Sequence, residues 1–290
     1  MGALTLISLE SRQKKLSILI VDVLAEHGTL SAESIRQNVR NQNHEYALSS
    51  VYKELKGLIH SGIVVKFDTQ YTLSMNWVVG LIEFSQKVKT RFIEQDFPRY
   101  ILPKPGERKR WKFTSLFTLN DFWNQINITL AKQCQDEILY EYNPHQWYDW
   151  ISLVRENQTL RAFQKTKKDI YVVVGQDSWL NRWPEESGAV AGGMYSYGGE
   201  KFGTRTDCHL GVMDDYIVTI RLSHSVAKYI DELAATVTST STLEDSQIDA
   251  LVQMKVRATI SLESNEVKAT KLKQKFLNHW EERFAHKPIS

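Results

Sequence analysis

Apolar positions along the chain recur with two different periods, and the change of period marks its elements. Leu16, Leu19, Ile20, Val23 and Leu24 follow the three-and-four spacing of one helical face, which predicts a helix over 11–26 with Ser11 as its cap and His27 and Gly28 as its stop. Ser31 then reads as a second cap, with Glu33 and Ser34 in the first turn and Ile35 and Val39 as the buried side of a short helix. A third helix is expected to begin between Tyr46 and Leu48 and to stop at Gly62, with Leu48, Val51, Tyr52, Leu55, Leu58 and Ile59 on its apolar face. Ser49, Ser50, Lys53 and Lys56 fall elsewhere, so one face packs and another is free to meet a partner. Beyond Gly62 the runs shorten: Ile63 to Phe67 and Tyr71 to Leu73 are β-prone around the turn residues Asp68, Thr69 and Gln70.

From Trp77 to Phe97 the helical period returns, with Trp77, Leu81, Phe84, Val88 and Phe92 close to a heptad seam. Such a helix either pairs two subunits or packs on its own chain. Pro98, Pro103, Pro105 and Gly106 interrupt regular structure. Helices and strands alternate afterwards: helix 119–135, strand 138–142, a helix opened by Pro144 and running to about 165, and strand 169–174. Strands 207–212 and 216–221 flank a turn at Met213, Asp214 and Asp215, and Ser223 caps a helix to about 235. Helix 243–253, strand 255–262 and helix 266–284 follow. This order predicts an α+β N-terminal unit over 1–76, a linker helix and basic segment over 77–112, and a larger α/β domain over 113–290.

Composition narrows the class. With 290 residues, 42% hydrophobic and 24% charged, the chain has the apolar material for two ordinary domains and no bias toward disorder. No run of about eighteen uncharged apolar residues suggests a membrane span, and Glu10, Arg12, Lys14 and Lys15 break any secretory pattern, so a cytoplasmic protein is expected. Cys134 and Cys208 lie in no metal-ligand or redox spacing and are expected as buried free thiols. The net charge of +2 says little, but nine basic residues against three acidic ones lie between Phe84 and Lys112, next to the N-terminal unit.

The run Leu48-Ser49-Ser50-Val51-Tyr52-Lys53-Glu54-Leu55-Lys56-Gly57-Leu58, set between a capped helix and a hairpin, resembles the recognition helix of winged helix-turn-helix DNA-binding regulators, in which a Ser-x-Val-Tyr-x-x-Leu-x-x-Leu pattern is common. The resemblance implies that double-stranded DNA is the partner. Tyr46, Ser49, Ser50, Tyr52, Lys53 and Lys56 are then expected to enter or border the major groove, and Lys66 and Gln70 of the hairpin to touch backbone or minor groove. Tyr52 also sits on the packing stripe. Arg108, Lys109 and Arg110 are candidates for phosphate contact, although a charge run is more often a solvated face. A homodimer through the linker helix would match a two-fold operator. The same domain can instead contact protein.

The second half is similar to the phospholipase D-like sensor domains that follow winged helices in TrmB-type regulators, on the strand-helix-strand from Ile138 to Val174 and on Asp214-Asp215-Tyr216-Ile217-Val218-Thr219-Ile220 followed by a helix. That similarity implies a domain that binds a small effector. The enzymes of that superfamily require His-x-Lys, and none of the eight histidines has Lys two positions on. Glu54-Leu55-Lys56 and Glu266-Val267-Lys268 match only the short end of a nuclease motif. Cys208 and His209, adjacent on a strand, suit a shared metal poorly. A regulator without catalytic residues, metal or cofactor is therefore expected, with a nuclease or phosphodiesterase, or a protein-interaction module, as alternatives. For an effector the aromatic stretch with Trp179, Trp183, Tyr195, Tyr197 and Phe202, rich in glycine between 188 and 203, suits a lid, and Trp147 and Trp150 can complete its pocket. A surface loop pinned by its rings, with Trp147 and Trp150 at ordinary core spacing, is the plainer alternative.

Overall fold

A computed structural model describes residues 15–42, 44–95, 100–190, 192–199, 202 and 205–285, the side chains of 89–95 excepted. The chain forms two compact units, 1–94 and 95–290. The expected cap at Ser11, the break at Pro98 and the seam residue Phe92 lie outside what is described.

In the first unit α1 (Leu16–His27), α2 (Ala32–Asn41) and α3 (Leu48–His60) enclose a core of Leu19, Ile20, Val23, Ile35, Val39, Val51 and Leu55, each at most 1% exposed. Ser31 caps α2 as its sequence predicts, its hydroxyl accepting the Ser34 N–H at 3.1 Å. Gly62 ends α3 with φ of 72°, while the Ile63 N–H reaches Leu58 O at 2.9 Å and the Gly62 N–H reaches Ile59 O at 3.0 Å. This pattern needs a left-handed residue at the exit, a conformation glycine adopts without cost. β2 (Val64–Phe67) and β3 (Gln70–Leu73) form the hairpin, and a short strand β1 (Leu30–Ser31) adds to β3, giving the antiparallel order β1-β3-β2. Gln70 is paired opposite Phe67 rather than in the turn, which Asp68 makes instead with φ of 51°. α4 (Met75–Gln95) follows.

The second unit is built on a seven-stranded mixed sheet, β4-β10-β9-β8-β5-β6-β7, in which β5 (Ile138–Asn143), β6 (Asp169–Val174) and β7 (Met194–Tyr197) run parallel and the other neighbours antiparallel. The antiparallel strands are β4 (Arg108–Phe113), β8 (Cys208–Met213), β9 (Tyr216–Arg221) and β10 (Ala258–Ser264). α5 (Leu116–Gln133), α6 (Trp147–Lys165), α7 (Trp179–Glu186), α8 (His224–Thr236) and α9 (Asp245–Gln253) contribute to the larger apolar core on one face. α10 (Glu266–Ala285) covers the other through Ala269, Phe276 and Trp280. Overall the protein combines an α+β unit with a helix-covered mixed sheet.

Three sequence expectations change. The segment expected as the end of a linker is β4, an edge strand paired to β10 from Phe113 and Ala258 to Arg108 and Glu263. The glycine-rich stretch expected as a loose lid instead contains α7 and the edge strand β7. Ser223 occupies the cap position of α8 without a side-chain hydrogen bond to it.

Candidate functional site

The outward face of α3 is built by the packing of its inward one. Val51, Leu55 and Leu58 are buried, fixing the helix against α1 and α2. Ser49, Tyr52, Lys53 and Lys56 therefore emerge together, at positions three and four apart on the solvent side. Tyr52 is 50% exposed and Ile59 38% exposed, so neither belongs to the packing stripe that their spacing suggests. Three turns of helix need only one apolar residue per turn here, because the hairpin supplies Ile63, Val64 and Tyr71 to the same core. Ser50 is half-buried at the margin. Tyr46 packs on the core and lines a 300 Å³ cleft with Arg36, Arg40, Glu45 and Ala47. Arg36 is bonded to Glu33 and Arg40 lies 3.4 Å from Glu45, both at the surface. In the hairpin Lys66 and Gln70 are exposed, Lys66 lies 5.9 Å over the Tyr71 ring, and Phe67 is 67% exposed.

The three basic residues expected to act together differ. Alternation along β4 turns Arg108 and Arg110 outward and Lys109 inward. The Lys109 ammonium donates to Tyr100 O at 2.6 Å and Leu102 O at 3.1 Å, which ties it to backbone rather than leaving it for a phosphate. Arg108 donates to Ser261 Oγ at 3.1 Å and lies 4.0 Å from Glu263. Arg110 is exposed, with no partner among the described residues.

The aromatic residues expected to line one effector pocket are divided. Trp147 and Trp150 are core residues, at 0% and 8% exposure, and their indole N–H groups donate to His209 Nε2 and Leu180 O, both at 3.0 Å. Trp179 and Trp183 lie side by side on α7, and Tyr195 stacks near Tyr197 on β7. Phe202 belongs to the opposite face of the sheet, where it packs on Tyr142 and Phe276. One pocket lined by all seven is not formed.

Sequence reasoning missed the polar core of the second unit. Glu141, in the middle of β5 and 5% exposed, accepts from Asn127 at 2.9 Å and Asn143 at 3.3 Å. Glu156 on α6 accepts from Asn120 and Asn124 of α5 at 2.9 and 2.8 Å. Asp149 is 1% exposed with Oδ2 unpartnered. Burial pushes Glu141 up to about 7, against the two amide bonds that lower it. Burial likewise raises Asp149 and Glu156, and their mutual repulsion adds to the rise at Asp149. An indole N–H only donates, so Trp147 fixes His209 as the tautomer with a bare Nε2, and its Nδ1–H then faces Asn143 Oδ1 at 3.2 Å. Burial first, and the nearby His145 second, push His209 down to about 3. The available signal was the spacing of Asn120, Asn124 and Asn127, which puts three amides on one face of the helix, beside the buried Leu116, Leu119, Trp123 and Leu130.

Cys134 is buried and Cys208 half-buried, both as free thiols. Among the described residues no group of three His, Cys, Asp or Glu side chains is placed to hold a metal ion, and no helix is long and apolar enough to cross a membrane.

No family model and no curated protein matches the chain. Among solved structures, TrmBL2, an archaeal chromatin protein described as showing a novel mode of DNA binding, aligns over 93% of each chain at 13% identity and a TM-score of 0.34. NucT from Helicobacter pylori aligns over 60% of this chain and 97% of its own at 9% identity and a TM-score of 0.31. At such scores neither likeness bears on what this chain does.

Proposed function

We propose that the protein is a DNA-binding regulator that reads double-stranded DNA with the outward face of α3. The carrying observation is that Ser49, Tyr52, Lys53 and Lys56 share one solvent-facing side of a helix whose other side is locked into the core. Hydroxyls and ammonium groups on an exposed helix suit base edges and phosphates in a major groove about as wide as one helix. The first turn of α3 has no side-chain cap at Ala47, so its N–H groups favour a phosphate there. Lys66 and Gln70 of the hairpin belong to the same unit and are exposed, and on the second unit Arg110 is an exposed cation with no partner among the described residues.

A homodimer formed through α4 follows from Phe84 and Val88, exposed and four residues apart on the side that also carries the half-buried Trp77 and Leu81, an apolar seam that water disfavours. The second unit then serves as a sensor for a small effector, coupled to the spacing of two α3 helices. The protein acts by binding rather than by catalysis.

Fluorescence anisotropy with a panel of duplex fragments, repeated over a salt series, tests this reading. The wild type should discriminate between fragments, and a Ser49→Ala, Lys53→Ala variant should lose that discrimination. Replacing both Lys53 and Lys56 by Ala should weaken binding to all fragments and reduce the salt slope by about two. If wild type and both variants bind every fragment equally, α3 is not the reader.

A further inference from the structure

Beyond the carboxyl ends of the parallel strands, the edge of the sheet carries a recess of about 270 Å³ lined by Ser196, Tyr197, Gly198, Gly199, His279, Glu282 and Arg283. Its walls come from two elements. β7 and the turn after it supply Ser196 to Gly199, and α10 supplies His279 and Arg283 from successive turns. Gly198 takes φ of 80°, and a side chain on Gly199 would run into the Val173 side chain, so the turn is held flat against β6 and the recess stays open beside it.

At the floor Ser196 is 1% exposed. Its hydroxyl accepts from Arg283 Nη1 at 2.9 Å and lies 2.8 Å from His279 Nε2. The serine thus joins the two helix side chains and fixes their positions. Arg283 is half-buried, and among the described residues its one hydrogen bond uses a single N–H of the five that a guanidinium carries. Among the described residues it has no carboxylate at ion-pair distance, and Asp177, which acts on it only through space, is itself bonded to Arg182. Arg182, whose guanidinium lies 4.5 Å over the ring of Tyr197, shows the contrast: Asp177 takes its guanidinium on two nitrogens.

We infer that this recess binds the oxyanion group, phosphate or carboxylate, of a small molecule, with Arg283 as the charged donor and Ser196 as the residue that positions it. A half-buried guanidinium held by a neutral hydroxyl, with its remaining donors uncommitted among the described residues and beside an open cavity, is matched by an anion, and planar N–H pairs suit both oxyanions. Glu282 also lines the recess and opposes an anion there, but it is exposed, so water screens its charge. The inference gives the proposed sensor domain a class of effector and rests on the regulator reading only for the link to DNA.

Titration calorimetry of the full chain without DNA, using inorganic phosphate in one arm and acetate in the other, tests it. Saturable binding is expected in at least one arm, and the arm that saturates identifies the group. Arg283→Gln should weaken it about tenfold and Ser196→Ala about fivefold. Glu282→Gln should tighten it, an effect that misfolding does not produce. Absence of saturable binding to both anions, or binding that Arg283→Gln and Glu282→Gln leave unchanged, overturns the inference. The regulator reading fails separately: Lys53→Ala with Lys56→Ala should keep oxyanion binding, and Arg283→Gln should keep DNA binding.

Discussion

Replacing Glu141 by Gln should make the dependence of stability on pH between 5 and 8 shallower. In the native protein burial raises this carboxyl from 4.5 to about 7. The folded state therefore holds the proton more tightly than the unfolded chain. Its contribution to stability is full below the unfolded value and is lost as pH rises through the folded one. Integrating the shift over this window gives a loss of about 2 to 3 kcal/mol in the wild type that the variant lacks. The amide can be accommodated, because Asn127 Oδ1 is buried without a partner, and turning that side chain over lets it accept the new N–H. Glu156, raised to about 7, and Asp149, raised by the same burial, also lose stability as pH rises, but they are present in both proteins, so only the Glu141 share of the slope separates the two curves. Two other sets of groups do not confuse the comparison. Asp136, Asp177, Asp207 and Glu263 have lowered values and titrate below the window. His209 is lowered from 6.5 to about 3, so it adds stability as pH rises toward 6.5, the opposite sign, but it does so in both proteins and cancels in the difference. Urea unfolding of both at pH 5, 6, 7 and 8 is the assay. Stability curves that run parallel across the range would refute the assignment of a raised, proton-holding Glu141.

Two further outcomes separate roles that charge and hydropathy alone confuse. Lys109→Met should destabilise the second unit by about 1 to 2 kcal/mol, read from its urea midpoint, while leaving DNA affinity unchanged, because its ammonium serves the carbonyls of Tyr100 and Leu102; a loss of DNA affinity at unchanged stability would return it to the interface. Val88→Glu, on the exposed seam of α4, should halve the mass measured by light scattering without changing the melting curve; an unchanged mass would remove this face of α4 from the proposed dimer.

What the sequence makes legible is local, and what it hides is set by tertiary partners. The Ser31 cap and the Gly62 exit are decided within a few residues, and both are readable because the chemistry of the cap and of a left-handed residue needs no distant neighbour. The strands 169–174 and 216–221 match their expected bounds for the same reason, since continuous β-branched runs between turn residues leave little choice. Tyr52 is different. Its spacing places it on the stripe of α3, and only the hairpin, by filling the core with Ile63, Val64 and Tyr71, releases it to solvent. Arg108 to Phe113 hides its strand because Lys109 breaks the polar-apolar alternation, and it can do so because the carbonyls of Tyr100 and Leu102 receive its charge. The buried acids are the limiting case. Nothing near Glu141 in sequence distinguishes it from a solvent-facing residue of β5, since its partner Asn127 comes from α5 and the cover over it from α6. Three asparagines on one face of α5 announce a polar interior, but which carboxyls they receive is fixed only when helix and sheet meet. The same logic bears on the proposed interface: α3 can present an uninterrupted polar face to DNA because its apolar demands are met by residues elsewhere in the chain.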